Sequence, residues 1–170
     1  YEVEVEDLKA PIKKGDKVAI LMMNGLEWLP IYFGILKTGA LAVPLNFRYS
    51  AEEIEYCVNL AEADILVFSN PFIGRVEEIA DRISKGRLLI YVCEGCPGFA
   101  DDYNSLSANC SSQSPMIHLT DEDDAAIYFS SGTTGFPKAI LHKHRSLVHS
   151  CIVEQNHHGQ KKDDVFLCIP

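Results

Sequence analysis

From Lys17 onward the apolar positions alternate between short continuous runs and runs spaced three or four residues apart, a pattern that predicts alternating strands and helices and a largely parallel sheet. Val18-Ala-Ile-Leu21 follows a turn at Gly15-Asp16 and reads as a buried strand. Leu26 to Lys37 offers Leu29, Ile31, Phe33, Ile35 and Leu36 for a strongly buried helix, with Pro30 early enough to sit in its first turn. Trp28, Tyr32 and Phe33 lie on that helix and are expected to pack in the core rather than stack on a ligand. Leu41-Ala-Val43 is a second strand ending at Pro44. Ser50-Ala-Glu-Glu53 has the spacing of a capping box opening a helix through Leu60, with Glu52, Glu53 and Glu55 as its solvated and capping side. Ile65 to Phe68 is a third strand, followed by a helix carrying Val76, Ile79 and Ile83 and by a strand from Leu88 to Val92.

Residues 95–115 are rich in Gly, Ser, Asn and Asp without sustained periodicity and are expected to form a long irregular connection, dividing the sheet into two layers. The acidic run Asp121-Glu-Asp-Asp124 reads as a solvated turn ahead of a strand at Ala125–Phe129. Ala139-Ile-Leu141 is the next strand. Ser146 is expected to cap a helix whose Leu147, Val148, Cys151 and Ile152 share one face and which stops at Gly159; Val165 to Ile169 starts one more strand. The fold expectation is therefore α/β, with largely parallel sheet layers and flanking helices.

Composition narrows the function without naming it. A length of 170 residues, with 47% hydrophobic and 23% charged residues, suits one globular core. A net charge of −9 and a pI near 5.1 argue against nucleic acid or anionic lipid as a partner, while leaving a small anionic ligand open. The longest apolar stretch, Trp28 to Leu36, is too short to span a bilayer, so no transmembrane segment is expected. The first residue is Tyr and the last five, Phe166 to Pro170, resemble an interrupted strand, so both ends are expected to be cuts in a longer chain. Six cysteines spread through an α/β pattern suit free thiols in a reducing cytoplasm. Cys93 and Cys96 have the gap of a zinc knuckle or redox pair, but no second pair follows, and a surface turn is the expectation. His142, His144, His149, His157 and His158 lack a completing carboxylate or cysteine at metal-ligand spacing, although the first two are expected to share a strand face. No metal site is assigned.

The chemistry concentrates in residues 130–138, Ser-Ser-Gly-Thr-Thr-Gly-Phe-Pro-Lys, between two expected strands. Glycines let successive backbone N–H groups turn toward one centre, hydroxyls add donors at short reach, and a lysine supplies mobile positive charge. The composition is that of an anion cradle suited to triphosphate or pyrophosphate. Gly132 and Lys138 also have the separation of a Walker loop, but Pro137 replaces its second glycine and has no N–H to offer. Ala139 stands where the magnesium-binding hydroxyl would be, and a strand rather than a helix is expected next.

Tyr128-Phe-Ser-Ser-Gly-Thr-Thr-Gly-Phe-Pro-Lys138 resembles the AMP-binding signature of the adenylate-forming superfamily, which includes acyl-CoA synthetases, luciferases and peptide-synthetase adenylation domains. The resemblance extends to Lys14–Leu21, to Gly34–Asn46 and to Leu141–Arg145. Val43-Pro-Leu-Asn-Phe-Arg48 is more similar to acyl- and aryl-CoA synthetases than to peptide-synthetase modules. The resemblance implies that Ser130, Ser131, Gly132, Thr133, Thr134 and Lys138 contact ATP phosphates and that Gly135 and Pro137 shape the loop. Ala139 departs from the family's usual glycine.

It further implies activation of a fatty or aryl carboxylic acid by ATP with magnesium, then transfer to coenzyme A. Residues 1–170 would be part of the large N-terminal AMP-binding domain, without the C-terminal domain. The family's magnesium-binding acidic segment, adenine shelf, ribose-binding aspartate and C-terminal lysine are not matched. No catalytic residue is expected within the stretch, and alone it is expected to be inactive. The other class left open is a noncatalytic nucleotide-binding or assembly module.

Overall fold

The first strand forms where Val18-Ala-Ile-Leu21 offers side chains that are apolar on both faces, and it lies at the middle of the molecule. The structure, a computed structural model, describes residues 12–86, 88–108, 110–130 and 135–165. In chain order these give β1 (Lys17–Leu21), α1 (Trp28–Lys37), β2 (Leu41–Pro44), α2 (Ala51–Leu60), β3 (Ile65–Phe68), α3 (Ile73–Ile79) and β4 (Leu88–Tyr91). There follow β5 (Asp101–Asp102), α4 (Tyr103–Ala108), β6 (Asp124–Ser130), β7 (Lys138–Lys143) and α5 (His144–His158).

The strands form one sheet in the order β5-β4-β3-β1-β2-β6-β7, parallel except for the antiparallel β6–β7 hairpin at one edge. The chain leaves β1 in one direction across the sheet to reach β2, then returns past β1 to reach β3. A right-handed crossover in each direction requires the connecting helix to change faces. It does: α1 packs with Val18, Ile20, Ala42 and Ile65 on one face, and α2 with Ala19, Leu21, Val43 and Leu66 on the other. α3 shares the face of α2, through Val76 and Ile79; α4 and α5 share the face of α1, through Leu106 and Leu147. Burial on both sides explains why β1 and β3 read as unbroken apolar runs. The reversal of direction also places a topological switch point at the carboxyl ends of β1 and β3, whose outgoing connections run to opposite sides, and open α/β sheets form ligand crevices at such points.

Local chemistry sets several of these elements. Ser50 accepts a hydrogen bond from the Glu53 N–H at 3.3 Å, and the Glu53 carboxylate accepts from the Ser50 N–H at 2.8 Å. This is the capping box that starts α2, and Ser50→Ala should lower stability by about 1 kcal/mol in urea unfolding. At the other end of the molecule Gly159, at φ 63°, closes α5 in the left-handed conformation that glycine adopts without strain. The acidic turn before β6 is consumed in ion pairs: Asp123 lies 2.7 Å from Lys14, while Glu122 meets Lys143 at 2.9 Å and also Arg145. The Lys14 ammonium and the Thr120 N–H hold the Asp123 carboxyl down at about 2.

Several expectations are corrected. The 95–115 connection contains β5 and α4 and joins two parts of one sheet, not two layers. Its two-residue strand is too short to carry a period, which is why it was illegible. α1 begins at Trp28, not Leu26, and buries Ile31, Tyr32 and Ile35, while Leu29 and Phe33 are more than half exposed. α3 ends at Ile79, and Ile83 reaches the same core from extended backbone after a 3₁₀ turn. α5 starts at His144, so Ser146 lies inside its first turn, and His142 and His144 belong to different elements rather than one strand face. No residue of α5 is fully buried: Leu147 packs partly on the sheet, and Val148 and Ile152 are exposed. α5 lies at the edge of the sheet, against β6 and β7. Of the strand expected at Val165–Ile169, only Val165 is described, as exposed coil; Phe166–Ile169 lie outside the described residues.

Candidate functional site

The glycine- and hydroxyl-rich segment connects β6 to β7, and its two ends are opposed in the ladder: Ser130 pairs with Lys138, Phe129 with Ala139 and Tyr128 with Ile140. Directly opposed residues of an antiparallel pair project to the same face. Ser130 and Lys138 therefore bring a hydroxyl and an ammonium together, and both residues are exposed. β6 runs parallel to β2, so Ser130 sits at the carboxyl edge of the sheet. Ser131, Gly132, Thr133 and Thr134 lie outside the described residues.

Gly135 has φ 110°, a backbone conformation that side chains with a Cβ rarely adopt, and it redirects the chain before Pro137. Ala139 takes ordinary strand backbone within β7, so the methyl group in place of a glycine introduces no strain. Lys138 begins a strand and not a helix. That geometry removes the Walker alternative, which needs a helix N-terminus behind the loop.

The base of the hairpin is anchored to α1. Alternation along β6 puts Tyr128 on the same face as Ser130, and there its hydroxyl lies 2.6 Å from that of Tyr32. Trp28 stacks on Tyr32 with ring centroids 5.3 Å apart, and His142 packs on Tyr128 at 5.1 Å. Burial first, and then the Tyr128 hydroxyl, push the Tyr32 phenol above its ordinary range. Tyr32 is thus more than core packing: it is the hydrogen-bond partner of the strand that ends in the candidate loop. The other missed contact is on the opposite face. Phe136, within the loop, packs on Tyr56 of α2 with ring centroids 4.6 Å apart. The available signal was that Tyr56 lies off the buried stripe of α2, which is formed by Ala51, Ile54, Cys57 and Val58.

The cysteines and histidines gather no ion site: among the described residues no three His, Cys, Asp or Glu side chains are placed to hold a metal. The five described cysteines are unbridged. Cys96 donates to the Ala100 carbonyl at 3.3 Å, and burial raises its thiol pKa. Cys57 is fully buried, and desolvation, with a smaller contribution from Glu53, pushes its thiol up to about 12. Neither has the electropositive surroundings of a reactive thiolate. Among the described residues no helix is long and apolar enough to cross a membrane.

A mostly parallel sheet covered on both faces, ending in an antiparallel hairpin with Ser130 and Lys138 opposed at its carboxyl edge, defines the class of the chain as an α/β domain. The chain belongs to the AMP-binding enzyme family, whose model matches residues 8–170. It is 32% identical over 140 residues to a long-chain-fatty-acid–CoA ligase of Mycobacterium tuberculosis, covering 82% of this chain and 26% of the relative. It superimposes on the crystal structure of the anthranilate CoA ligase AuaEII in complex with anthranoyl-AMP with a TM-score of 0.79, at 27% identity, over 83% of this chain and 27% of that one. It also matches the inhibitor-bound N-terminal domain of FACL13 from Mycobacterium tuberculosis, at TM-score 0.64 and 28% identity, over 81% of this chain and 33% of that one. The chain thus spans about a quarter to a third of the length of these relatives.

Proposed function

We propose that this chain is the phosphate-loop portion of an ATP-dependent acid–thiol ligase, which activates a fatty or aryl carboxylic acid as its acyl-adenylate and passes the acyl group to coenzyme A. The observation that carries this reading is the pairing of Ser130 with Lys138 across the hairpin at the carboxyl edge of the sheet. The names of the relatives, a long-chain-fatty-acid–CoA ligase and an anthranilate CoA ligase, support the reaction class and leave the acid as either an alkyl chain or a ring.

In this reading the acid's carboxylate attacks the α-phosphorus of ATP and pyrophosphate leaves. Both reactants are anions, so charge must be neutralised as the new bond forms. The Lys138 ammonium and the Ser130 hydroxyl would hold the β- and γ-phosphate oxygens, with Ser131, Gly132, Thr133, Thr134 and Gly135 completing the cradle. Those donors suit phosphate and not a bare cation. Magnesium would therefore be held chiefly through the phosphates themselves, as is common for this ion, and would supply further charge neutralisation. The acyl-adenylate, a mixed anhydride, then loses AMP to the incoming thiol.

The test is carboxylate-dependent exchange of labelled pyrophosphate into ATP by the whole protein that carries this chain, across a panel of fatty and aryl acids. Exchange that requires one class of acid is expected. No exchange with any acid, in a protein that still binds ATP, would replace the ligase reading with a noncatalytic nucleotide-binding module.

A further inference from the structure

Ser130 and Lys138 of the candidate loop are held on one face of the sheet, but Phe136 reaches the other. Phe136 is half exposed and reaches α2, where its ring meets that of Tyr56 at 4.6 Å with an interplanar angle of 35°. Tyr56 is itself 36% exposed and turned away from the buried stripe of its helix. Neither ring is needed to fill the core. Two large aromatic side chains on separate elements, each off the core, meet where the chain from Gly135 to Pro137 passes α2. Beside them Glu52, Glu55, Asn59 and Leu60 line an open groove of about 470 Å³. Glu55 is engaged by Arg82 at 2.9 Å, and Glu52 leaves the groove acidic. The pair's contact with the loop is Phe136 itself, two residues before Lys138.

We propose that Tyr56 is a positioning residue for the phosphate loop. Its ring clasps Phe136 and so fixes the path of the chain between Gly135 and Lys138, the residue whose ammonium must reach the phosphates. Gly135, at φ 110°, supplies the bend that lets Phe136 turn toward α2 while Lys138 stays in register opposite Ser130. The contact is one of ring on ring: no hydrogen bond from the Tyr56 hydroxyl is required. This assignment rests on reading residues 130–138 as the phosphate loop, and its test separates the two.

In the whole protein, Tyr56→Ala is expected to raise the KM for ATP roughly 2- to 10-fold, the worth of one aromatic pair. The kcat of pyrophosphate exchange should change little. Deuterium uptake in peptides spanning residues 128–140 should speed up, while uptake across β1 and β3 stays as in the parent. Tyr56→Phe, which keeps the ring, should restore both values. Phe136→Ala should match Tyr56→Ala, and the double variant should be no worse than either single one. If Tyr56→Ala leaves uptake across 128–140 unchanged, or if Tyr56→Phe is as damaging as Tyr56→Ala, the clasp is refuted. A parent protein that shows no exchange would overturn the ligase reading alone, because the deuterium measurement still decides whether Tyr56 holds the loop.

Discussion

Replacement of Lys138 by alanine in the whole protein is expected to lower carboxylate-dependent pyrophosphate exchange by roughly 100- to 1,000-fold, the usual loss when one preorganised charge-stabilising donor is removed from a reaction centre. Lys138 is exposed at the first position of β7 and opposite Ser130, so no core contact accompanies its charge. Unfolding should move by no more than about 0.5 kcal/mol, the ordinary range for a surface substitution. Activity and stability are therefore separable in this variant. Lys138→Arg keeps the charge but replaces a compact ammonium by a planar fork, and an intermediate rate is expected. Exchange at the parental rate in Lys138→Ala would remove this residue from the proposed site.

Phe68→Ala is expected to produce the largest loss of stability, about 3–5 kcal/mol in denaturant unfolding. Phe68 is the last residue of β3 and is completely buried. Its ring lies 5.5 Å from that of Tyr91 in β4 and is stacked at 5.9 Å on Phe99 in the connection that leads to β5. Truncation would remove both ring contacts and leave a cavity between the sheet and α3, against a total stability of about 5–15 kcal/mol for a domain of this size. A loss below about 1 kcal/mol would mean that Tyr91 and Phe99 close over the space.

The same residue shows what was legible and what was not. Phe68 reads as core from Ile65-Leu-Val-Phe68 alone, because a run of four apolar residues can be satisfied only by burial on both faces. Phe99 does not, because it stands in a stretch rich in Gly, Ser and Asp and becomes a core partner only when that connection folds back over β3. Ser50 and Glu53 announced the start of α2 because a capping box is made by four consecutive residues. Ser146 misled for the complementary reason. A hydroxyl before an apolar run can cap a helix, but α5 already begins at His144, where the ladder of β7 ends and the backbone N–H groups of His144 and Arg145 bond to the carbonyls of Asp123 and Asp121. Those partners are more than twenty residues away, so no local rule could have supplied them.

For the candidate loop the division falls in the same place. Residue types and spacing in 130–138, with Pro137 and Ala139 against the Walker pattern, made the family legible from sequence alone, and they carry the expectation of a phosphate ligand, since backbone N–H groups, hydroxyls and a lysine suit phosphate wherever the segment lies. Only the tertiary structure decided that Ser130 and Lys138 are opposed in one hairpin, that Tyr32 of α1 meets Tyr128 beneath it, and that Phe136 rests on Tyr56 of α2. The physical reason is range. Periodicity and turn chemistry act over a few residues, whereas the Tyr32–Tyr128 and Tyr56–Phe136 contacts join positions 96 and 80 residues apart, through a sheet whose strand order is set by crossover handedness and burial.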